Sequence, residues 1–161
     1  MILKILQKLI YLDSIENLIN QSKFKKINPD EDANWLNIGN KLFKKFSAEE
    51  MLHAEKAKDM LLANGLQPIT PALAKPQQEF KNLPNVIALS FEHEKEITRQ
   101  CYDLTKAAFK EDNYMVAELG LWYAKEQAEE LDKFQNLVDR LEAFGTDPDL
   151  LRELDDEMAQ M

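Results

Sequence analysis

A proline-rich stretch between two long helical segments places the strongest constraint on how this chain can fold. Residues 66–84, LQPITPALAKPQQEFKNLP, contain four of the six prolines. A connection of this length without secondary structure is uncommon inside a compact domain. It is needed when two consecutive helices of a four-helix bundle run parallel, because the chain must then travel back along the bundle between them. The stretch therefore predicts an all-α four-helix bundle with a long crossover between its second and third helices.

Helix start and stop signals divide the chain into five predicted helices. Pro29 ends the first, Asn64–Gly65 the second and Gly145 the fourth, because proline and glycine do not continue a helix. Asp147 and Pro148 are typical of the N-cap and first position of a short fifth helix. The predicted helices cover about residues 3–27, 32–63, 85–110, 114–144 and 147–160. We expect a single domain over residues 1–161, with the bundle over about 3–144.

Charge and composition argue against nucleic acid and membranes as binding partners. The formal net charge of −9 argues against nucleic acid, whose phosphates need basic residues. No segment reaches the ~20 apolar residues that span a bilayer, so no membrane is expected. Lys4 and Lys8 interrupt the apolar N-terminus, which is predicted to be an amphipathic helix and not a signal peptide. The single cysteine, Cys101, cannot form an internal disulfide, which favours a reducing, cytoplasmic location.

Polar side chains interrupt the core-facing stripes of three predicted helices at the same height. Core positions of a bundle helix recur at alternating steps of three and four. In each helix these positions are apolar at both ends and polar in the middle: Phe43, Phe46, Glu50, His53, Ala57 and Met60; Ile87, Ser90, Glu94, Ile97, Cys101, Leu104 and Ala108; and Leu119, Tyr123, Gln127, Glu130, Phe134, Leu137 and Leu141. Three carboxylates, an imidazole and an amide are thus predicted to converge, with Glu126 at the edge.

Such a cluster favours a metal ion. A lone buried carboxylate is costly and several of them repel one another, so a divalent or trivalent cation stabilises the group. Glu50-x-x-His53 places two ligands on one helix face, one turn apart. Carboxylate oxygens bridging two ions, with one imidazole nitrogen, suit iron and would tolerate zinc or manganese. The stripes therefore predict a metal site inside the bundle.

Three ordinary interpretations compete with the metal site. Glu-x-x-His occurs by chance on many helices. Ser47-x-x-Glu50 is also a capping-box pattern, which would place Glu50 at a helix start on the surface. Glu94 within FEHEKE and the run KEQAEELDK would be solvent-exposed charges. Under these interpretations the protein is a helical interaction bundle without metal. The metal interpretation is favoured because three helices carry their polar positions at one height.

Four stretches together resemble the ferritin family in its non-haem bacterial form. EEMLHAEK, FEHEKEIT, LGLWYAKEQAEELDKF and DPDLLRELDDEM follow that family's order and spacing over nearly the whole chain. The resemblance implies a ferritin-like four-helix bundle with a short fifth helix, iron storage, and a homo-oligomeric cage of 24 subunits. Bacterioferritin is less similar, because its fourth helix would carry a second Glu-x-x-His where this chain has Glu126-Gln-Ala-Glu129.

The resemblance also implies roles for individual residues. It implies a dinuclear ferroxidase centre that oxidises Fe²⁺ to Fe³⁺ with dioxygen or peroxide before ferric mineral is deposited. The ligands of that centre correspond to Glu50, His53, Glu94, Gln127 and Glu130. An additional acidic iron site corresponds to Glu49, Glu126 and Glu129. Trp122 or Tyr123 is expected to donate an electron in place of a first-helix tyrosine.

The first helix departs from the family pattern. The family's glutamate falls on Asn17 and its tyrosine on Phe24, which can neither be oxidised nor donate a hydrogen bond. The apolar stripe of this helix instead has Glu16 in its middle, so Glu16 is the predicted ligand, with Asp13 or Asn17 as alternatives. If none faces inward, oxidation is expected to be slow or absent. The chain would then be a ferritin-like storage subunit with weak or no ferroxidase activity, and a dimer or filament would remain an alternative to the cage.

Overall fold

Three long helices make up the regular structure of the described residues. The structure, a computed structural model, describes residues 35–69 and 83–144, together with 147, 149, 150, 153, 154 and 157. The helices are α1 (Trp35–Ala63), α2 (Leu83–Lys110) and α3 (Tyr114–Phe144). They confirm the predicted second, third and fourth helices. The predicted first helix and residues 70–82 of the crossover lie outside the described residues. None of the described helices is long and apolar enough to cross a bilayer.

The end of α1 follows the glycine signal in the sequence. Gly65 has a φ of 69°, a left-handed conformation that glycine adopts without strain. The backbone N–H of Leu66 donates to the carbonyl of Leu61 at 2.9 Å, and the N–H of Gly65 donates to that of Leu62 at 2.9 Å. These bonds satisfy carbonyls that the last helical turn leaves without partners. The predicted stop at Asn64–Gly65 is therefore confirmed.

A three-residue turn joins α2 to α3 and makes them antiparallel neighbours. Asp112 takes the left-handed conformation, with a φ of 51°. The N–H of Asn113 donates to the carbonyl of Ala108 at 2.9 Å and closes α2. Its side-chain Oδ1 accepts a hydrogen bond from the N–H of Val116 at 3.2 Å, so Asn113 is the N-cap of α3. Pro84 lies in the first turn of α2, where its missing N–H costs no helical hydrogen bond.

The α2 and α3 backbones approach closely at Gly120. A Cβ atom added there would lie 2.4 Å from Oγ1 of Thr105, 3.1 Å from its Cα and 3.2 Å from its Cβ. The Thr105 hydroxyl donates to the carbonyl of Cys101 at 2.9 Å, which holds that side chain in place. The absent side chain of Gly120 therefore permits the observed spacing between the two helices.

Among the described residues, the core consists of two apolar clusters on either side of a polar layer. The first cluster includes Ala57, Leu61, Ile97, Cys101, Leu104, Leu119 and Tyr123, and the second includes Phe46, Val86, Ile87, Phe91, Phe134, Leu137 and Leu154. Along each helix, polar residues separate members of the two clusters. We call these residues the polar layer: Glu50, His53, Glu94, Gln127 and Glu130, all buried. The predicted stripes are thus confirmed, with Met60, Ser90 and Leu141 partly buried; the side chain of Phe43 lies outside the described residues.

The described part of the C-terminus is held against the bundle. Oδ1 of Asp147 accepts hydrogen bonds from the N–H groups of Asp149 and Leu150 at 2.9 and 3.2 Å. Leu154 is fully buried in the second cluster, and Glu157 forms an ion pair with Arg140 of α3. The described residues after Asp147 have helical backbone. Pro148 and the remaining positions of the predicted fifth helix lie outside the described residues.

Candidate metal centre

Helix α1 contributes a carboxylate and an imidazole from one face. Glu50 and His53 are one helical turn apart and both buried, because they continue the apolar stripe that contains Phe46 and Ala57. Nδ1 of His53 lies 3.1 Å from Oε2 of Glu50. The capping interpretation of Ser47 is wrong, because α1 begins at Trp35 and Ser47 lies in its middle. A capping box needs free N–H groups, and these exist only in the first turn of a helix.

Helices α2 and α3 contribute a buried carboxylate and amide that are hydrogen-bonded to each other. The Glu94 side chain is 2% exposed, and its Oε2 accepts a hydrogen bond from Nε2 of Gln127 at 3.2 Å. The buried hydroxyl of Thr98 lies 2.8 Å from both Oε1 of Gln127 and the carbonyl oxygen of Glu94. Thr98 therefore orients the Gln127 amide so that its NH₂ group faces Glu94. Sequence reasoning missed Thr98, although its position one turn after Glu94 would have indicated it.

Glu130, the last residue of the polar layer along α3, is paired with a lysine. Nζ of Lys133 donates to its Oε1 at 2.7 Å. Burial raises the pKa of Glu130; the hydrogen bond and charge of Lys133 act in the opposite direction, and the charges of Glu50 and Glu49 add to the rise. The net result is a raised pKa, which reflects the cost of holding negative charge at this depth. A cation bound among these carboxylates would offset that cost.

His53 faces several acids at once. Burial lowers the pKa of His53, but the hydrogen bond that its ring donates to Glu50 and the charges of Glu50, Glu126 and Glu130 together outweigh burial, and the net pKa is raised. Nε2 of His53 lies 4.0 Å from Oε2 of Glu126. The acids around this ring thus create a negative potential that also favours bound metal ions.

A pocket of about 530 Å³ connects this ring to the surface between α1 and α3. It is lined mainly by acidic residues: Glu49, Glu55, Asp59, Glu126, Glu129 and Glu130, together with Leu52, His53, Lys56, Trp122 and Lys133. Glu49 and Glu126 are half-buried and Glu129 is exposed. The three residues of the expected additional acidic site therefore share one pocket with His53 and Glu130.

Two aromatic residues of α3 surround the imidazole. The rings of Trp122 and Tyr123 meet that of His53 edge-on, with centroids 5.5 and 6.5 Å away. The hydroxyl of Tyr123 donates to the main-chain carbonyl of His53 at 2.6 Å. Nζ of Lys56 lies 4.1 Å from the centroid of the Trp122 ring. These contacts fix the His53 segment of α1 against α3, a role that the sequence did not indicate for Tyr123.

The described side chains do not form a closed set of ligands. Within residues 35–69, 83–144 and the described part of the C-terminus, no three His, Cys, Asp or Glu side chains are grouped as they would be around one ion. Glu130 is paired with Lys133, and Gln127 directs its amide nitrogen at Glu94. The first-helix residues Glu16, Asp13 and Asn17 lie outside the described residues. What the structure brings together is a buried donor set whose oxygen and nitrogen types fit iron.

The sequence of this chain matches one family model and is similar to known proteins. A family model described as "Ferritin: Ferritin-like domain" matches residues 34–144. A "Probable bacterial non-heme ferritin-like protein" of Haemophilus influenzae is 36% identical over 101 residues, which cover 63% of this chain and 61% of that protein. A "Bacterial non-heme ferritin" of Staphylococcus haemolyticus is 26% identical over 129 residues, which cover 80% of this chain and 77% of that protein. The match to the Haemophilus relative thus spans less than two thirds of its length.

Solved structures show the same fold over almost the full chain. An open pore ferritin from the archaeon Archaeoglobus fulgidus superposes with a TM-score of 0.89 at 22% sequence identity, covering 99% of this chain and 96% of that one. A ferritin from the same organism, engineered into a closed form, superposes with a TM-score of 0.84 at 20% identity, covering 99% and 95%. The likeness confirms the predicted four-helix-bundle fold.

Proposed function

Because the chain belongs to the ferritin-like domain family, we propose that it stores and detoxifies iron by oxidising Fe²⁺ at a dinuclear centre within each subunit and depositing the Fe³⁺ as mineral. The observation that carries this proposal is the polar layer between two apolar clusters. Buried carboxylates at the centre of a bundle are costly unless a cation or another partner neutralises them. Three of them, beside an imidazole, form the donor set expected for iron.

In this proposal Glu50 and His53, one turn apart on α1, would hold one ion, and Glu94 of α2 and Glu130 of α3 would hold a second. The burial of all four side chains supports the assignment. Gln127 acts through its hydrogen bond to Glu94. Glu16 completes the centre from the first helix, with Asp13 and Asn17 as alternatives. Zinc and manganese are substitutes that the same ligands tolerate.

The carboxylates also supply the driving force for oxidation. Their negative charges attract Fe³⁺ more strongly than Fe²⁺, because Coulomb energy scales with the charge of the ion. Electron loss to dioxygen or peroxide is therefore favoured at this position. Glu49, Glu126 and Glu129 form the additional acidic site, and the acidic pocket around them concentrates cations near His53. We assign electron donation to Trp122 or Tyr123, because Phe24 stands where the family has a tyrosine; the contact of both rings with the His53 ring supports this assignment.

A second candidate function is metal storage with weak or no ferroxidase activity. It is favoured by the absence of a closed three-ligand group among the described residues and by the Lys133 ion pair that already occupies Glu130. The replacement of the family's tyrosine by Phe24 also favours this function. In this case the layer binds metal ions and nucleates mineral without turning over oxygen.

An oxygen pulse after anaerobic Fe²⁺ addition separates these functions. We expect oxygen uptake by the wild type, loss of it in Glu94→Gln, and wild-type uptake in the control Glu92→Gln. Glu92 lies two residues away on the exposed face of α2, where it pairs with Lys95, so the control makes the same chemical change outside the layer. Metal retention without oxygen uptake would support the storage subunit. Failure of the wild type to retain Fe²⁺ or Zn²⁺ would refute both functions.

We further propose that residues 1–161 form one domain, that the protein is cytoplasmic, and that it assembles into a homo-oligomeric cage of 24 subunits. The family membership and the likeness to solved ferritin structures support the assembly. Sedimentation velocity of the full chain tests it, because a dimer or filament sediments at a clearly different rate from a cage. No nucleic acid or membrane partner is part of the proposal.

A further inference from the structure

Lys133 places a positive charge on a carboxylate that the proposed function assigns to a metal ion. Its Nζ lies 2.7 Å from Oε1 of Glu130, one helical turn earlier on α3. The Glu130 side chain is nearly buried and that of Lys133 is about one-third exposed. Nζ also lies 5.7 Å from the centroid of the Phe46 ring on α1. Lys133 also lines the acidic pocket, so its ammonium group lies among the carboxylates there.

Lysine carries a positively charged ammonium group at neutral pH, because its ordinary pKa lies well above 7. A hydrogen bond between an ammonium group and a carboxylate is among the stronger ones in proteins. Glu130 is therefore already occupied by a cation that belongs to the chain.

We propose that Lys133 is a specificity-determining residue: its ammonium group competes for Glu130, so a metal ion can take Oε1 of this carboxylate only by displacing Nζ. The proposal rests on the assignment of Glu130 as a ligand. The flexible stem of lysine allows such a displacement. Glu129 and Glu49 line the same pocket and offer the displaced ammonium other carboxylates. Ions that bind carboxylates strongly overcome the competition, whereas weakly bound cations do not.

The chain contains a closely matched control. Lys95 on α2 pairs with Glu92 three residues earlier, also at 2.7 Å, and lies 3.9 Å from the centroid of the Phe91 ring. It therefore repeats the spacing and the ion pair of Lys133 and also lies near an aromatic ring, although that ring is on its own helix. Glu92, however, is exposed and lies outside the polar layer. Lys95→Met removes one charge in a similar local setting without touching the proposed centre.

The experiment is calorimetric titration of the full chain with Zn²⁺, which binds similar ligands but undergoes no oxidation. Losing one competing charge-assisted hydrogen bond should tighten Zn²⁺ binding by about tenfold in Lys133→Met. Lys133→Arg keeps the charge and should bind within a few-fold of wild type. Lys95→Met should match wild type. Circular dichroism establishes that each variant is folded, and the Zn²⁺-induced rise in Tm provides a second readout.

Each outcome is decisive. Tighter binding in Lys133→Met alone supports the competition, as does Zn²⁺ binding that appears only in this variant. Equal or weaker binding in Lys133→Met overturns it, because Lys133 would then be irrelevant to Glu130 or would hold it in place for the ion. Equal tightening in Lys95→Met also overturns it, since the effect would be one of overall charge. If neither wild type nor Lys133→Met binds Zn²⁺, the proposed centre itself fails, and the competition with it.

Discussion

Tyr123→Phe separates the structural role of this residue from the redox role proposed for it. The substitution removes one oxygen atom from a side chain that is only 4% exposed. That oxygen donates a 2.6 Å hydrogen bond to the main-chain carbonyl of His53, on the neighbouring helix α1. Because the ring itself remains, the packing against His53 and Trp122 is retained. The variant therefore tests a single interhelical contact beside the candidate centre.

The magnitude follows from the environment of the two atoms. A hydrogen bond exchanged for one with water contributes about 1 kcal/mol net. The carbonyl of His53 lies in the middle of α1 and keeps its helical partner, so the larger cost of a fully unpaired buried group does not apply. We expect the free energy of unfolding to fall by about 1 kcal/mol and the Tm by about 2–4 °C for a domain of this size.

Urea and thermal unfolding of the metal-free protein measure this change. Tyr114→Phe is the matched control, because Tyr114 is 68% exposed and its hydroxyl lies 3.4 Å from Oδ1 of Asp112 at the surface. It should lie within a few tenths of a kcal/mol of wild type. Equal stability of Tyr123→Phe and wild type would show that the 2.6 Å contact contributes nothing. Destabilisation of both variants by the same amount would refute the argument from burial.

Comparison of Tyr123→Phe with wild type also tests whether Tyr123 donates an electron. If Tyr123 only supports α1, Tyr123→Phe should bind Zn²⁺ and take up oxygen after Fe²⁺ addition much as wild type does, once the stability difference is allowed for. If it donates an electron, the rate of oxygen uptake should fall while Zn²⁺ affinity stays unchanged. Trp122→Phe distinguishes the two aromatic residues, since Trp122 makes an edge-on contact with His53 as well.

Two further predictions concern the packing that holds the centre in place. Gly120→Ala should lower the free energy of unfolding by about 1 kcal/mol in denaturant titrations, because an overpacking cost of about 1–3 kcal/mol exceeds the helical preference for alanine; the clash is with Thr105 at 2.4 Å. A Gly120→Ala protein at least as stable as wild type would contradict the close approach. Leu154→Ala should cost about 2–4 kcal/mol, since it empties a fully buried position. The control Leu150→Ala, at a residue 37% exposed, should cost much less, and equal losses would argue against docking of the C-terminal segment.

The helix ends and the core stripes were predictable because they depend on local rules. Gly65 ends α1 where a left-handed residue is needed, and Asn113 caps α3 with its own side chain. The repeat of apolar residues at steps of three and four located the buried face of each helix. The same periodicity located Glu50, Glu94 and Glu130 inside that face. A buried polar residue in such a stripe is visible from sequence because its neighbours along the helix define the direction of the core.

The capping-box interpretation failed for an instructive reason. Ser47-x-x-Glu50 satisfies a local pattern, but α1 already extends upstream to Trp35. N–H groups in the middle of a helix already donate to carbonyls four residues earlier, so they are not free to donate to a capping side chain. The spacing of the apolar residues before Ser47 indicates that the helix extends upstream, so the longer-range periodicity predicts the helix start better than the short motif does.

The sequence by itself determined that three helices present acids and an imidazole to the core at one height, because helical periodicity sets which face each side chain occupies. Only the tertiary structure decided which groups pair there: Lys133 with Glu130, Gln127 with Glu94, and Tyr123 with the carbonyl of His53. The last two pairs join different helices. In the first pair, the Lys133 side chain adopts a rotamer that reaches Glu130, although other carboxylates line the same pocket. Such choices depend on the distance and rotation between packed helices, which no single helix specifies in its own sequence.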